Sequence, residues 1–273
     1  MVTNKRQRQR ETREARERAI RARQRKAQRQ KLGVIVFTAV VLVLGVSAFV
    51  VSGDGGGTKV ETASNSTTAP PAQSSGPATL TSVPPGETIT GDTPCPKADG
   101  TSARTTGFAK PPPMCIVAAR TYTAEVTTSK GRFTIALDNK AAPNTVNNFV
   151  VLARYKYFEG ISFHRIIPNF VVQGGDPAAT GTGGPGYKFD DELPRAGSYK
   201  EGSVAMANSG ANTNGSQFFI ITGAAGVSLP PNYSLFGTVT EGMEIVKSIE
   251  AVGTTGGQPT QAITIASVTI KEP

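Results

Sequence analysis

Residues able to do chemistry are concentrated in two blocks: FHRIIPNFVVQGGD, Phe163 to Asp176, and MANSGANTNGSQFFIIT, Met206 to Thr222. With FHRII and FVVQG as strands, a two-residue period sets Phe163, Arg165 and Ile167 on one face. Val171 and Gln173 then share a face of the next strand. Arg165 presents several fixed donors and stays charged at any physiological pH. A guanidinium beside a carboxamide among phenylalanines is costly to bury unpartnered, so the pair is either a satisfied structural network or faces a ligand. His164, the only histidine, should point the opposite way from Arg165 and is read as structural.

Other chemistries find little to build on. GTGGPG, Gly181 to Gly186, has the look of a phosphate loop but lacks a following helical pattern and an acidic partner, and reads as a mobile turn. Neither a GxSxG nor a Walker sequence is present, and serine–histidine catalysis would rest on His164 alone. The two cysteines, Cys95 and Cys115, suit no zinc site, so no metal and no cofactor are expected.

Around the two blocks the pattern is that of short strands. TYTAEVTTSKGRFTIALD alternates on both sides of SKG and predicts a hairpin. In AAPNTVNNFVVLARYKY the period changes: Val146, Phe149, Val150 and Ala153 fall on one helical face, with Pro143 in the first turn. Strand-like runs follow at ISFHRII, FVVQG, SVAMA, QFFIIT and SLFGTV. A second amphipathic helix is predicted over Met243 to Val252, and AITIASVTIK forms a last strand. Many short strands with two helices indicate an antiparallel barrel or sandwich over residues 120–273.

Upstream, the chain divides by composition. Residues 1–31 hold thirteen Lys and Arg against three Asp and Glu, while the remaining 242 carry sixteen against seventeen. The basicity therefore belongs to a tail, and nucleic-acid binding by the folded part is not expected. Leu32 to Val51 contains no charge and at about 1.5 Å per residue matches a bilayer's hydrocarbon core. An uncleaved single-pass anchor is expected there, with the N-terminus cytoplasmic by the positive-inside rule, the basic tail on anionic lipid and the remainder outside the plasma membrane. Residues 52–92, rich in Gly, Ser, Thr and Pro, read as a disordered spacer. A segment over 93–119 follows, bracketed by Cys95 and Cys115. On the outer side of a membrane a disulfide between them is the expectation, pinning a poorly packed stretch by about 3 kcal/mol in the chain-entropy model.

The two blocks closely resemble the cyclophilin family of peptidyl-prolyl isomerases, over about Tyr122 to Ile270. The arrangement of anchor, spacer and domain is similar to membrane-bound actinobacterial, including mycobacterial, isomerases. The resemblance implies an all-β fold, a closed eight-stranded antiparallel barrel capped by two helices, acting on X–Pro bonds of proline-containing polypeptides. By position it implies that Arg165 is the catalytic guanidinium and that Gln173 holds the substrate backbone. Phe170, Val171, Phe219 and Leu229 would line the proline pocket. Ala207, Asn208 and Gln217 would lie along the groove, Asn208 offering its backbone, and Gly181 would border a neighbouring pocket.

One stretch departs from the family pattern. Where well-known eukaryotic members carry a tryptophan and then a histidine, SLPPNYSLFG places Ser228 and Tyr233, and the chain has no tryptophan. Cyclosporin binding is therefore expected to be weakened, with Tyr233 supplying a ring and a hydroxyl. The same change leaves open a groove that binds proline segments without turning them over.

Overall fold

The computed structural model describes residues 77–272. The basic tail, the apolar stretch Leu32 to Val51 and residues 52–76 of the spacer lie outside the described residues. Among the described residues no helix is long and apolar enough to cross a membrane.

The predicted hairpin comprises β3 (Tyr122–Thr128) and β4 (Gly131–Leu137), joined through Ser129 and Lys130. Its alternation has a direct structural reading: Tyr122, Ala124, Val126, Phe133, Ile135 and Leu137 are all buried in one core. The helix α1 (Pro143–Arg154) starts with proline at its first turn and buries Val146, Phe149, Val150 and Ala153. Phe149 stacks within 5.1–5.6 Å of Phe158, Phe218 and Phe236, so this helix closes one mouth of the sheet. No side chain at the helix start caps it. The Glu192 carboxylate does so from a distant loop, accepting from the Asn144 and Thr145 amides at 3.0 and 2.8 Å.

The remaining strands are β5 (Arg165–Ile167), β6 (Val171–Gly174), β7 (Ser203–Met206), β8 (Phe218–Ile221), β9 (Leu235–Glu241) and β10 (Ile265–Lys271). They join the hairpin in one antiparallel sheet of order β10-β3-β4-β9-β7-β8-β6-β5. The fold is an all-β half-barrel. Its two end strands form no ladder with each other; one bridge, Ser162 to Thr264, with flanking bonds such as Phe163 N–H to Ile263 O at 2.9 Å, joins the segments before them. The expected full closure is limited because the free edge of β5 is taken by a loop instead. Ile166 donates to Gly257 O at 2.8 Å and accepts from Thr254 at 3.1 Å. Besides α1, a one-turn helix α2 (Ala224–Val227) and α3 (Met243–Glu250) are present; α3 stops two residues short of the predicted end.

Two expectations for the region before the hairpin are corrected. Residues 77–92, assigned by composition to a disordered spacer, include β1 (Glu87–Ile89), which pairs in parallel with β2 (Thr105–Phe108). Main-chain bonds from Ala78 to Pro259 O and from Val83 to Pro177 O, 2.8 and 2.9 Å, tie the segment to the domain. Nor is residues 93–119 poorly packed. Phe108 and Ile116 lie in the main core, Phe108 with its ring 5.5 Å from Tyr155 and 6.2 Å from Tyr187. Cys95 and Cys115 are joined in a disulfide, Cα to Cα 5.4 Å.

Candidate active site

Alternation in the central strands divides two apolar clusters. On β6, β7 and β8, Val172, Val204, Met206, Phe218 and Ile220 point into the main core. Their neighbours Val171, Ala205, Phe219 and Ile221 form a second cluster on the outer face, joined by Tyr199 and flanked by Phe170, Leu229 and Tyr233. QFFIIT is therefore apolar on both sides because both sides are covered.

On that outer cluster lies a slot of about 170 Å³, lined by Arg165, Phe170, Val171, Gln173, Ala207, Asn208, Phe219, Leu229 and Tyr233. Residues from three strands and three loops thus meet in one small apolar hollow with a guanidinium at its edge. Gln217 and Gly181 are not in the slot. They line an adjoining cavity of about 230 Å³, which shares Gln173, Ala207 and Asn208 with the first.

Arg165 and Gln173 stand directly opposite each other in the β5–β6 ladder. A chain of bonds holds them: Arg165 Nη1 donates to Gln173 Oε1 at 3.2 Å, Gln173 Nε2 to Gln217 Oε1 at 3.1 Å, and Gln217 Nε2 to Gly183 O at 2.9 Å. The guanidinium carbon also lies 5.4 Å from the Phe170 ring centre. No carboxylate pairs with Arg165 among the described residues. One bond fixes the guanidinium, leaving further donors for a ligand.

Phe163 and His164 depart from the simple alternation. Phe163 is fully buried in the main core against Phe218, not beside Arg165. His164, expected to point away from Arg165, borders with it a cavity of about 830 Å³ beside the slot. Both residues precede β5, where the backbone has not yet taken up the strand's period. Burial holds the His164 imidazole below its ordinary pKa, with the Arg165 charge acting in the same direction and Asp176 opposing. Both ring nitrogens are buried and without a hydrogen-bond partner among the described residues.

The glycine loop is not a free turn. Asp176, fully buried, accepts main-chain N–H bonds from Ala178, Thr180, Gly181 and Gly183 at 2.6–3.1 Å. The anion that such a nest of amides attracts is the chain's own carboxylate, which is a physical reason against phosphate binding there. A Cβ on Gly183 would lie 2.0 Å from Asp176 Oδ1, so only glycine permits the wrap.

Three contributors were invisible to sequence reasoning. Tyr199 accepts from Tyr233 N–H at 3.1 Å and donates to Tyr233 O at 2.7 Å, and so positions the ring that stands edge-on to Phe219 at 5.3 Å. Gly257, at φ +89°, packs where a Cβ would be 3.2 Å from Arg165 Cγ. Asp176 is the third, acting on loop amides two to seven residues further along. Tyr199 and Gly257 act through partners tens of residues away.

Residues 123–270 match the family model described as cyclophilin type peptidyl-prolyl cis-trans isomerase/CLD. The chain is 42% identical over 169 residues to peptidyl-prolyl cis-trans isomerase A of Mycobacterium tuberculosis, covering 55% of this chain and 92% of that one. It is 46% identical over 131 residues to peptidyl-prolyl cis-trans isomerase CYP18-2 of Arabidopsis thaliana, 46% of this chain and 79% of the relative. Among solved structures, a cyclophilin type isomerase of Cryptosporidium parvum is similar with a TM-score of 0.51 and 33% identity, over 55% of this chain and 98% of that one. A second structure of it, solved in the presence of the dipeptide Ala-Pro, gives 0.50 over the same shares.

Proposed function

We infer that this chain, which belongs to the cyclophilin type peptidyl-prolyl cis-trans isomerase family, isomerises X–Pro bonds in the slot between Arg165 and Phe219. The observation that carries the assignment is the guanidinium, fixed by Gln173 at the edge of an apolar hollow and free of any carboxylate among the described residues.

Rotation about an X–Pro bond meets a barrier of about 18–20 kcal/mol because the amide must give up its resonance. Resonance puts negative charge on the carbonyl oxygen, and a drier surrounding disfavours that planar state relative to the twisted one. In the twisted state the prolyl nitrogen regains its lone pair. A donor aimed at that nitrogen stabilises the twisted amide selectively, and Arg165 is that donor. Phe170, Val171, Phe219 and Leu229 grip the ring, Gln173 orients both the guanidinium and the substrate backbone, and Asn208 offers its backbone to the peptide. Ala207, Gln217 and Gly181 extend the groove. Lowering the barrier by ~7 kcal/mol accelerates the step about 10⁵-fold without covalent chemistry or cofactor.

The substrates we propose are exported or cell-envelope polypeptides, with Leu32 to Val51 as a plasma-membrane anchor and the isomerase domain outside. The charge asymmetry about that stretch and the Cys95–Cys115 bridge support this location. Cyclosporin binding is weakened, since Ser228 is exposed and Tyr233 offers a phenol where an indole is absent. The test is turnover of a short X–Pro peptide by the full chain and by Arg165→Ala. The variant is expected to retain about one hundredth of the activity or less; wild-type activity in the variant would refute the assignment.

A further inference from the structure

The slot is not the whole groove. On the far side of Arg165 and Gln173 lies the cavity of about 830 Å³, and one of its walls is residues 77–80, well outside the family-matched span 123–270. The opposing walls come from Ala179 to Gly181 and from Gly256 to Gln258. This upstream strap is firmly held. Ala78 donates to Pro259 O at 2.8 Å and accepts from Gln258 Nε2 at 3.4 Å. Further along, Val83 is bonded to Pro177 O and packs on the main core, Arg104 donates to Pro84 O at 2.8 Å, and β1 pairs with β2.

Two physical features define what fits. Arg165 and Gln173 border both the slot and this cavity, so a peptide with its X–Pro bond at Arg165 runs from one into the other. Among the described residues no Asp, Glu or Lys lines the cavity, and Arg165 is its one permanent charge. The nearby Asp176 carboxylate has its oxygens turned onto four loop amides. Without the strap that flank would be open to water and the charge screened; with it, a substrate side chain is confined beside an uncompensated guanidinium.

Resting on the isomerase reading, we propose that residues 77–80 complete an additional peptide subsite, which selects acidic over basic side chains flanking the isomerised bond. Leu80 and Ala78, both half-buried, supply its apolar wall and Arg165 its charge preference.

The experiment uses the full chain and eight-residue peptides with one X–Pro bond, in which Glu or Lys is moved through each flanking position. A Glu-to-Lys ratio in kcat/KM of about five at one position is expected, the scale of one partly shielded charge interaction. In Ala78→Pro, which lacks the N–H bonded to Pro259, the ratio should fall towards one. Gln258→Leu, which loses the other strap bond, should lower it independently of any folding defect in the first variant. A flat ratio throughout in the native chain, or a ratio that neither variant changes, would overturn the subsite. Turnover of a four-residue X–Pro peptide is followed in parallel: its absence in the native chain overturns the isomerase reading itself, whereas its presence with a flat ratio overturns only the strap's role.

Discussion

Arg165 and Gln173 face each other across the β5–β6 ladder, and a single bond of 3.2 Å from Nη1 to Oε1 sets the plane of the guanidinium. Gln173 is in turn held by Gln217, so the aim of Arg165 depends on two carboxamides in series. Gln173→Leu keeps the volume but removes that aim and is expected to lower kcat/KM about tenfold, mostly in kcat. Arg165→Lys, which substitutes a point charge for a planar fork, should lower it about a hundredfold. Steady-state isomerisation of a short X–Pro peptide checks both; equal activities for Gln173→Leu and the native chain would separate the carboxamide from the reaction.

Phe219 is nearly buried between the outer cluster and the Tyr233 ring. Phe219→Leu retains apolar bulk and should cost under about 1.5 kcal/mol of stability. Because the flat wall of the slot is lost, kcat/KM should fall about tenfold. Urea unfolding alongside the isomerase assay distinguishes the two effects, and an unchanged kcat/KM would remove Phe219 from the proline pocket.

Asp176 organises the glycine loop through four amides that have no other acceptor among the described residues. Asp176→Ala leaves those donors facing an apolar methyl and should destabilise by about 3 kcal/mol or more. Asp176→Asn, which keeps one oxygen, is expected to fall between the two. Chemical denaturation measures this directly, and a loss under about 1 kcal/mol would mean the loop finds other partners.

His164 gives a pH signature. Its folded pKa is lowered, chiefly by burial, below the unfolded value of 6.5. As pH falls through the unfolded pKa the unfolded chain takes up a proton that the folded chain refuses, so unfolding is favoured. Stability attributable to this residue is therefore full above about pH 7 and declines from there towards the folded pKa. Unfolding free energies of the native chain and His164→Gln between pH 7.5 and about pH 5 should differ in slope, the variant being flatter. Parallel curves would show that the imidazole titrates normally.

Much of this was decided by local pattern. Val171 and Gln173 share a face because residues two apart in a strand must, and Val146, Phe149, Val150 and Ala153 share one because a helix repeats every 3.6 residues. The same periodicity, with Arg165 among phenylalanines, was enough to single out both blocks, and seven of their residues border one slot; Leu229 and Tyr233, which complete it, were marked by the family resemblance alone. What the pattern could not decide is where the period begins and what long-range packing adds. Phe163 faces the core although two residues from Arg165, since β5 starts only at Arg165.

Composition alone marked residues 77–92 as a spacer, because a Thr- and Pro-rich stretch offers no apolar period of its own. Their order comes instead from main-chain bonds to Pro177 and Pro259, which lie some hundred or more residues further along. Tyr199 beneath Tyr233, Gly257 against Arg165 and the Glu192 cap on α1 have the same origin. A hydrogen bond between distant residues leaves no trace in either one's neighbours. Sequence periodicity thus determined the strands, the helices and the faces they bury, while the folded chain alone decided which loops close over Arg165, because loop contacts are set by the register of the whole sheet.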